Sequence, residues 1–97
     1  MAEGIQLARI ASAAALATEG VYSMGRGRYV EAATYEGGEK VTGVVVNPEA
    51  VEIHIVACYP LPKPIPEISR SIIERVTPQA GDRRTVVVVE DLEVTAT

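Results

Sequence analysis

The sequence predicts an α+β domain in the order α-β-β-β-α-β, a three- or four-stranded, mostly antiparallel sheet with two helices packed on one face. Three observations predict it. Leu7, Ile10, Ala11, Ala14 and Ala17 recur at helical spacing near the start of the chain. Between Val51 and Cys58 the side chains alternate with the two-residue period of a strand, Val51, Ile53, Ile55 and Ala57 on one face and Glu52, His54, Val56 and Cys58 on the other. A second helical stripe, Ile65, Ile68, Ile72, Ile73 and Val76, precedes a β-branched run with four consecutive valines, Val86 to Val89.

Each element has a local cause. Ile5 to Thr18 is rich in Ala, the residue with the best intrinsic helix propensity, and Gly20 supplies a residue that takes a left-handed C-terminal conformation without strain. The small Ala face suits close packing on a sheet. Val21 to Gly38 is punctuated by Gly25, Gly27 and the Gly37-Gly38 pair, which predicts a loop followed by one strand around Tyr29 to Tyr35. Lys40 to Val46 and Val51 to Tyr59 form a hairpin across the turn residues Asn47-Pro48-Glu49-Ala50. Pro60, Pro62, Pro64 and Pro66 make a stiff connector, because proline donates no ladder hydrogen bond. Pro66 suits the first turn of the second helix, which is expected to run to about Val76 and to end at Pro78 and Gly81. Arg84 to Val94 is the last strand, its valine run fitting a strand covered on both faces, or by helices on one and a second subunit on the other.

The 97 residues suffice for one domain. With 47% hydrophobic residues the chain carries enough apolar surface to fold, and with four Tyr but no Phe or Trp the core must be aliphatic. A net charge of -4 disfavours a general affinity for nucleic acid, which needs surplus Lys and Arg to neutralise phosphates. The single Cys58 makes no intramolecular disulfide, and no basic stretch leads into an apolar run with a cleavage site, so a cytoplasmic location is expected. No apolar run approaches the roughly 20 residues a membrane helix needs, so direct insertion into a bilayer is not expected.

The inventory for catalysis is thin, and no catalytic residue, cofactor or metal is assigned. Cys58 and His54, the one Cys and the one His, lie on the same strand face but about 13 Å apart along it, too far for proton transfer. His54 with Glu52 and Glu49 falls short of the four ligands of a stable zinc site. Glu90, Asp91 and Glu93 fit a solvated strand end, where charge discourages edge pairing. Gly25-Arg26-Gly27-Arg28 is the phosphate-like motif, with flexible amides beside two guanidinium groups. It lacks the spacing of a P-loop, a dinucleotide fingerprint or an RNA-clamping loop. Arg26 and Arg28, joined in the fold by Arg83 and Arg84, are the candidate anion or partner site, and a small-ligand or nucleic-acid binding module is the alternative function they suggest. With both helices on one face, the other face is open, and Val56, Cys58, Val87 and Val89 are the candidate assembly face of a homo-oligomer.

Six segments taken together resemble the alkaline shock protein family of envelope stress response proteins, in the short form found in actinobacteria. They are Ala17-Thr18-Glu19-Gly20-Val21, Glu31-Ala32-Ala33-Thr34-Tyr35, Val41-Thr42-Gly43-Val44, Val51-Glu52-Ile53-His54-Ile55-Val56, Ile65-Pro66-Glu67-Ile68 and Val86-Val87-Val88-Val89-Glu90-Asp91. The most specific are the strand around His54, the Pro-Glu-Ile entry to the second helix and the Val-Glu-Asp ending. The resemblance implies a small, non-enzymatic, cytoplasmic protein without a cofactor. It also implies self-assembly and a place near the membrane, held there by a membrane-anchored protein partner. Two departures stand out: the connector Tyr59-Pro60-Leu61-Pro62-Lys63-Pro64 is longer and stiffer than the family's, and Gly81-Asp82-Arg83-Arg84-Thr85 replaces its usual start to the last strand.

Overall fold

A computed structural model of the chain describes residues 3–95. The Ala-rich segment forms helix α1 (Gly4–Leu16), with Ile5, Leu7, Ala8, Ala11 and Ala15 buried along one face. Four short strands follow: β1 (Val21–Met24), β2 (Ala33–Glu36), β3 (Glu39–Thr42) and β4 (Val44–Val46). Strand β5 (Ala50–Tyr59), helix α2 (Ile65–Ala80) and strand β6 (Arg84–Val94) complete the chain. The expected class holds, with two more strands than expected.

Strand β5 organises the sheet. On one side it pairs with β1 and β4, both antiparallel, β4 lying along Val51 to Ile53 and β1 along Ile55 to Ala57. These two strands therefore sit end to end along a single edge of β5. On its other side β5 pairs with β6 in parallel over its whole length, Ala50 beside Arg84 and Tyr59 beside Val94. The parallel pairing follows from the chain path, because α2 carries the chain back to the end of the sheet at which β5 began. Strands β2 and β3 form a separate hairpin turned at Gly37-Gly38.

Leu7 of α1, Ile68 and Ile72 of α2 and Ile53 and Ile55 of β5 are essentially inaccessible to solvent and share one cluster. Each contributes about 1.5–3 kcal/mol by leaving water. Both helices thus lie on the same sheet face. Among the described residues the helices cover that face alone, and the other face carries the half-buried Glu52, His54, Val56 and Cys58.

Four local expectations are corrected. Val21 to Met24 is a strand, since it finds β5 as a partner; the loop is confined to the residues after it. The strand expected around Tyr29 is shorter and begins at Ala33. Lys40 to Val46 is broken into β3 and β4 at Gly43, whose φ is +90°. Helix α2 continues through Pro78 to Ala80. Only the last turn loses a hydrogen bond to Pro78, and continuing lets Ala80 join Val76 in the core, where both are fully buried.

Gly43 is the point where β1 and β4 meet. A Cβ at this position would lie 2.7 Å from Met24 Cβ and 3.0 Å from Gly25 O, and the positive φ excludes most side chains in any case. Gly37 has φ +59° but open space around it. Gly43→Ala is therefore expected to cost about 2 kcal/mol or more, against about 1 kcal/mol for Gly37→Ala, because only the former adds a backbone collision to the unfavourable φ. Urea unfolding of the two variants checks the difference.

Candidate functional site

His54 stands at the joint between β1 and β4. Its carbonyl accepts a hydrogen bond from Gly25 N–H (2.7 Å) and its own N–H donates to Gly43 O (2.7 Å), so its backbone bridges the ends of both strands. Its side chain projects onto the open face, together with that of Glu52 two residues earlier.

Across the sheet, β6 carries Glu90 to the same spot. Ile55 aligns with Val89 but Val56 aligns with Asp91, so Glu90 is the extra residue of a β-bulge. Its side chain is only 8% exposed, and its carboxylate is held by three donors. Oε1 accepts from Arg26 N–H (3.1 Å), while Oε2 accepts from Gly27 N–H (2.8 Å) and from His54 Nδ1–H (2.7 Å). His54 Nε2 lies 3.3 Å from Glu52 Oε1 on its far side. Charge-assisted bonds of this kind are shorter and stronger than neutral ones.

Glycine is required on the loop side of this cluster. A Cβ on Gly25 would collide with the Glu90 carboxylate, and Gly27, with φ +89°, would press one into Val30 O. The loop closes on itself through Ala32 N–H to Arg26 O (2.8 Å), and Ala32 in turn accepts from Gly43 N–H (2.7 Å). At its tip Arg28 is exposed, and Tyr29 and Val30 are 97% and 81% exposed. Beside the tip lies a shallow cleft of about 340 Å³, lined by Arg28, Tyr29, Val30, His54, Val88 and Glu90.

At the base of the loop, Glu31 binds Lys40 (2.6 Å) and the Tyr35 hydroxyl. The hydrogen bond from Lys40 holds the Glu31 carboxyl below its usual range, and the same bond raises Lys40. Both groups are solvent-exposed, so this pair orients the β2–β3 hairpin more than it stabilises the fold.

The sequence-level site residues fare unequally. Arg26 and Arg28 do share one loop, but the amides that were expected to grip a foreign anion already bind the chain's own Glu90. Arg83 and Arg84 do not join them. Arg84 aligns with Ala50, about 20 Å along β6 from Glu90. Arg83 is committed elsewhere, donating to Asn47 O (2.8 Å) and Glu3 Oε1 (2.8 Å), where it ties the β4–β5 turn to the start of α1.

The assembly face is also redrawn. Val87 and Val89 align with Ile53 and Ile55 and pack against the helix-side core, so they lie on the opposite face from Val56 and Cys58. The valines of the open face are Val86 and Val88, which align with Glu52 and His54. Glu90, expected as a solvated strand-end charge, is instead nearly buried. Its pairing with the Gly25–Gly27 amides spans more than sixty positions of sequence, and the one available signal was that Gly-rich amides need an acceptor.

Chemically the cluster is a locked hydrogen-bond network. His54 faces a carboxylate on each side, and the cleft beside it holds no Ser, Thr or Cys to serve as nucleophile. Among the described residues no set of three His, Cys, Asp or Glu side chains converges to hold a metal ion, and no helix is long and apolar enough to cross a membrane. Comparison of the chain with models of protein families, with curated proteins and with solved structures finds no match.

The three-donor arrangement predicts that Glu90→Ala strands two amides and an imidazole. The variant is expected to lose about 2–3 kcal/mol of stability, in the range for bonds to a charged group, and amide exchange at Arg26 and Gly27 should accelerate. An unchanged exchange rate at both amides would contradict the network.

Proposed function

We propose that the protein is a non-enzymatic scaffold or adaptor that self-associates and binds a protein partner, in the manner of envelope-stress proteins held near the membrane by an anchored partner. The observation that carries this reading is the one-sided layering of the sheet. Both helices cover one face, while the other keeps Val56, Cys58, Val86 and Val88 partly exposed, with the bare Tyr29 and Val30 beside Val88. Apolar surface gathered in this way marks an interaction site on a folded domain.

The loop tip supports the partner half of the proposal. Tyr and Arg are the residue types that dominate binding energy in protein interfaces, and Arg28 and Tyr29 stand together on a loop whose base Glu90 and His54 immobilise. A tip held in place gives up less entropy on binding than a free loop. The same clamp occupies the amides an anion-binding module would use, which favours a protein partner over phosphate. The resemblance to the alkaline shock family adds the membrane-peripheral setting and the role in envelope stress.

Sedimentation velocity over a concentration series at physiological salt tests the self-association. A weight-average mass that rises reversibly to a dimer or a larger species is expected. A single species of 10.3 kDa at every concentration would contradict the proposal.

A further inference from the structure

We infer that two copies of the chain pair through the free edge of β6, antiparallel, about a two-fold axis passing through Val87. This rests on the self-association proposed above and assigns to it a surface and a register.

Strand β6 is eleven residues long and, among the described residues, pairs with β5 alone. Arg84 N–H donates to Glu49 O (2.9 Å), toward β5. By the alternation of a strand, Val86 and Val88 also turn their backbone groups inward, whereas Thr85, Val87 and Val89 point N–H and C=O outward. Among the described residues, no loop or turn reaches these three with a backbone bond.

Sheet edges that must stay free are usually kept short, bulged, charged or interrupted by proline. The opposite edge of this sheet obeys that rule: it is made of four-residue β1, with a register shift at Val21/Ser23, and three-residue β4. The stretch Thr85 to Val89 has no proline, charge or bulge, and its β-branched residues favour extended pairing.

Charge selects the second copy as the occupant. Arg84 begins the strand, and Glu90 and Asp91 follow the valines. Antiparallel self-pairing sets the basic end of each copy against the acidic end of the other, whereas parallel self-pairing would place like charges together. A two-fold axis perpendicular to the sheet keeps the two faces distinct, so core-facing residues meet core-facing ones. With Val87 on the axis, Thr85 faces Val89, Val86 faces Val88 and Arg84 faces the Glu90–Asp91 bulge of the other copy. There the exposed Asp91 is its acidic partner, because the Glu90 carboxylate is already held within its own chain. Sliding by one allowed step either sets Val86 against Glu90 and Arg84 against Leu92, or sets Arg84 against Val88. Only the Val87 register matches charge with charge and valine with valine.

The register is testable by cross-linking in a Cys58→Ser background. Val86 and Val88 form a non-hydrogen-bonded pair across the axis, with Cα atoms about 4.5 Å apart, inside the range of a disulfide. A chain carrying Val86→Cys mixed with one carrying Val88→Cys should oxidise to a covalent dimer containing one of each, and neither alone should do so to a comparable yield. Arg84→Glu should weaken association about tenfold, since it turns two attractive cross-strand contacts repulsive, and Asp91→Arg on the same chain should restore it. If Val86→Cys or Val88→Cys alone cross-links best, the strands pair in a slid register and the Val87 axis is overturned. If the native chain self-associates but no combination of Val86→Cys and Val88→Cys chains cross-links, the β6 pairing is overturned and self-association stands. If the native chain is monomeric at every concentration, both fall.

Discussion

Every other strand of the main sheet depends on the backbone of β5. Its ten residues supply the ladder on both sides, to β6 along one edge and to β1 and β4 in series along the other. The joint between those two short strands falls at His54, whose N–H and C=O each hold one of them through a glycine. A one-residue slip of β5 would move Ile53 and Ile55 out of the core and His54 into it, so the hydrophobic pattern and the ladder enforce the same register.

That register also builds the polar cluster. Because odd residues of β5 face the helices, His54 is delivered to the open face, and the bulge in β6 delivers Glu90 beside it. The carboxylate then captures the loop leaving β1 by two of its amides. A buried charge is costly unless it is fully hydrogen-bonded, and here three donors from two segments meet that demand. The network thereby couples the placement of an exposed loop tip to the placement of the sheet beneath it.

Much of this was legible in the chain where the signal is local. The alternation of Val51 to Cys58 and the Pro66 entry to α2 each carry their own physical cause and form as expected. Helix α1 forms where its Ala content places it but ends at Leu16, so Ala17, expected on its packed stripe, is exposed while Ala8 and Ala15 are buried instead. Other features were hidden because their causes are not local. Val21 to Met24 is too short to alternate, and becomes a strand only when β5 offers it a ladder. The run from Lys40 to Val46 is β-rich on both sides of Gly43, and that this glycine breaks it follows from the close approach of Met24, which is not local in sequence. Four identical valines carry no alternation, so the faces of Val87 and Val89 emerge only from their alignment with Ile53 and Ile55. Glu90 looked like a surface charge because its partners, His54 and the Gly25–Gly27 loop, lie far away in sequence.

A sheet organised around one central strand, layered on one face and left with a single long open edge, is suited to receive a second copy at that edge. The most direct measurement is residue-resolved amide hydrogen exchange as a function of protein concentration. Val86 and Val88, whose amides face β5, should be protected even in dilute solution. Thr85, Val87 and Val89 should exchange rapidly when dilute and become protected as concentration rises. Rapid exchange at these three amides at every concentration would contradict the account.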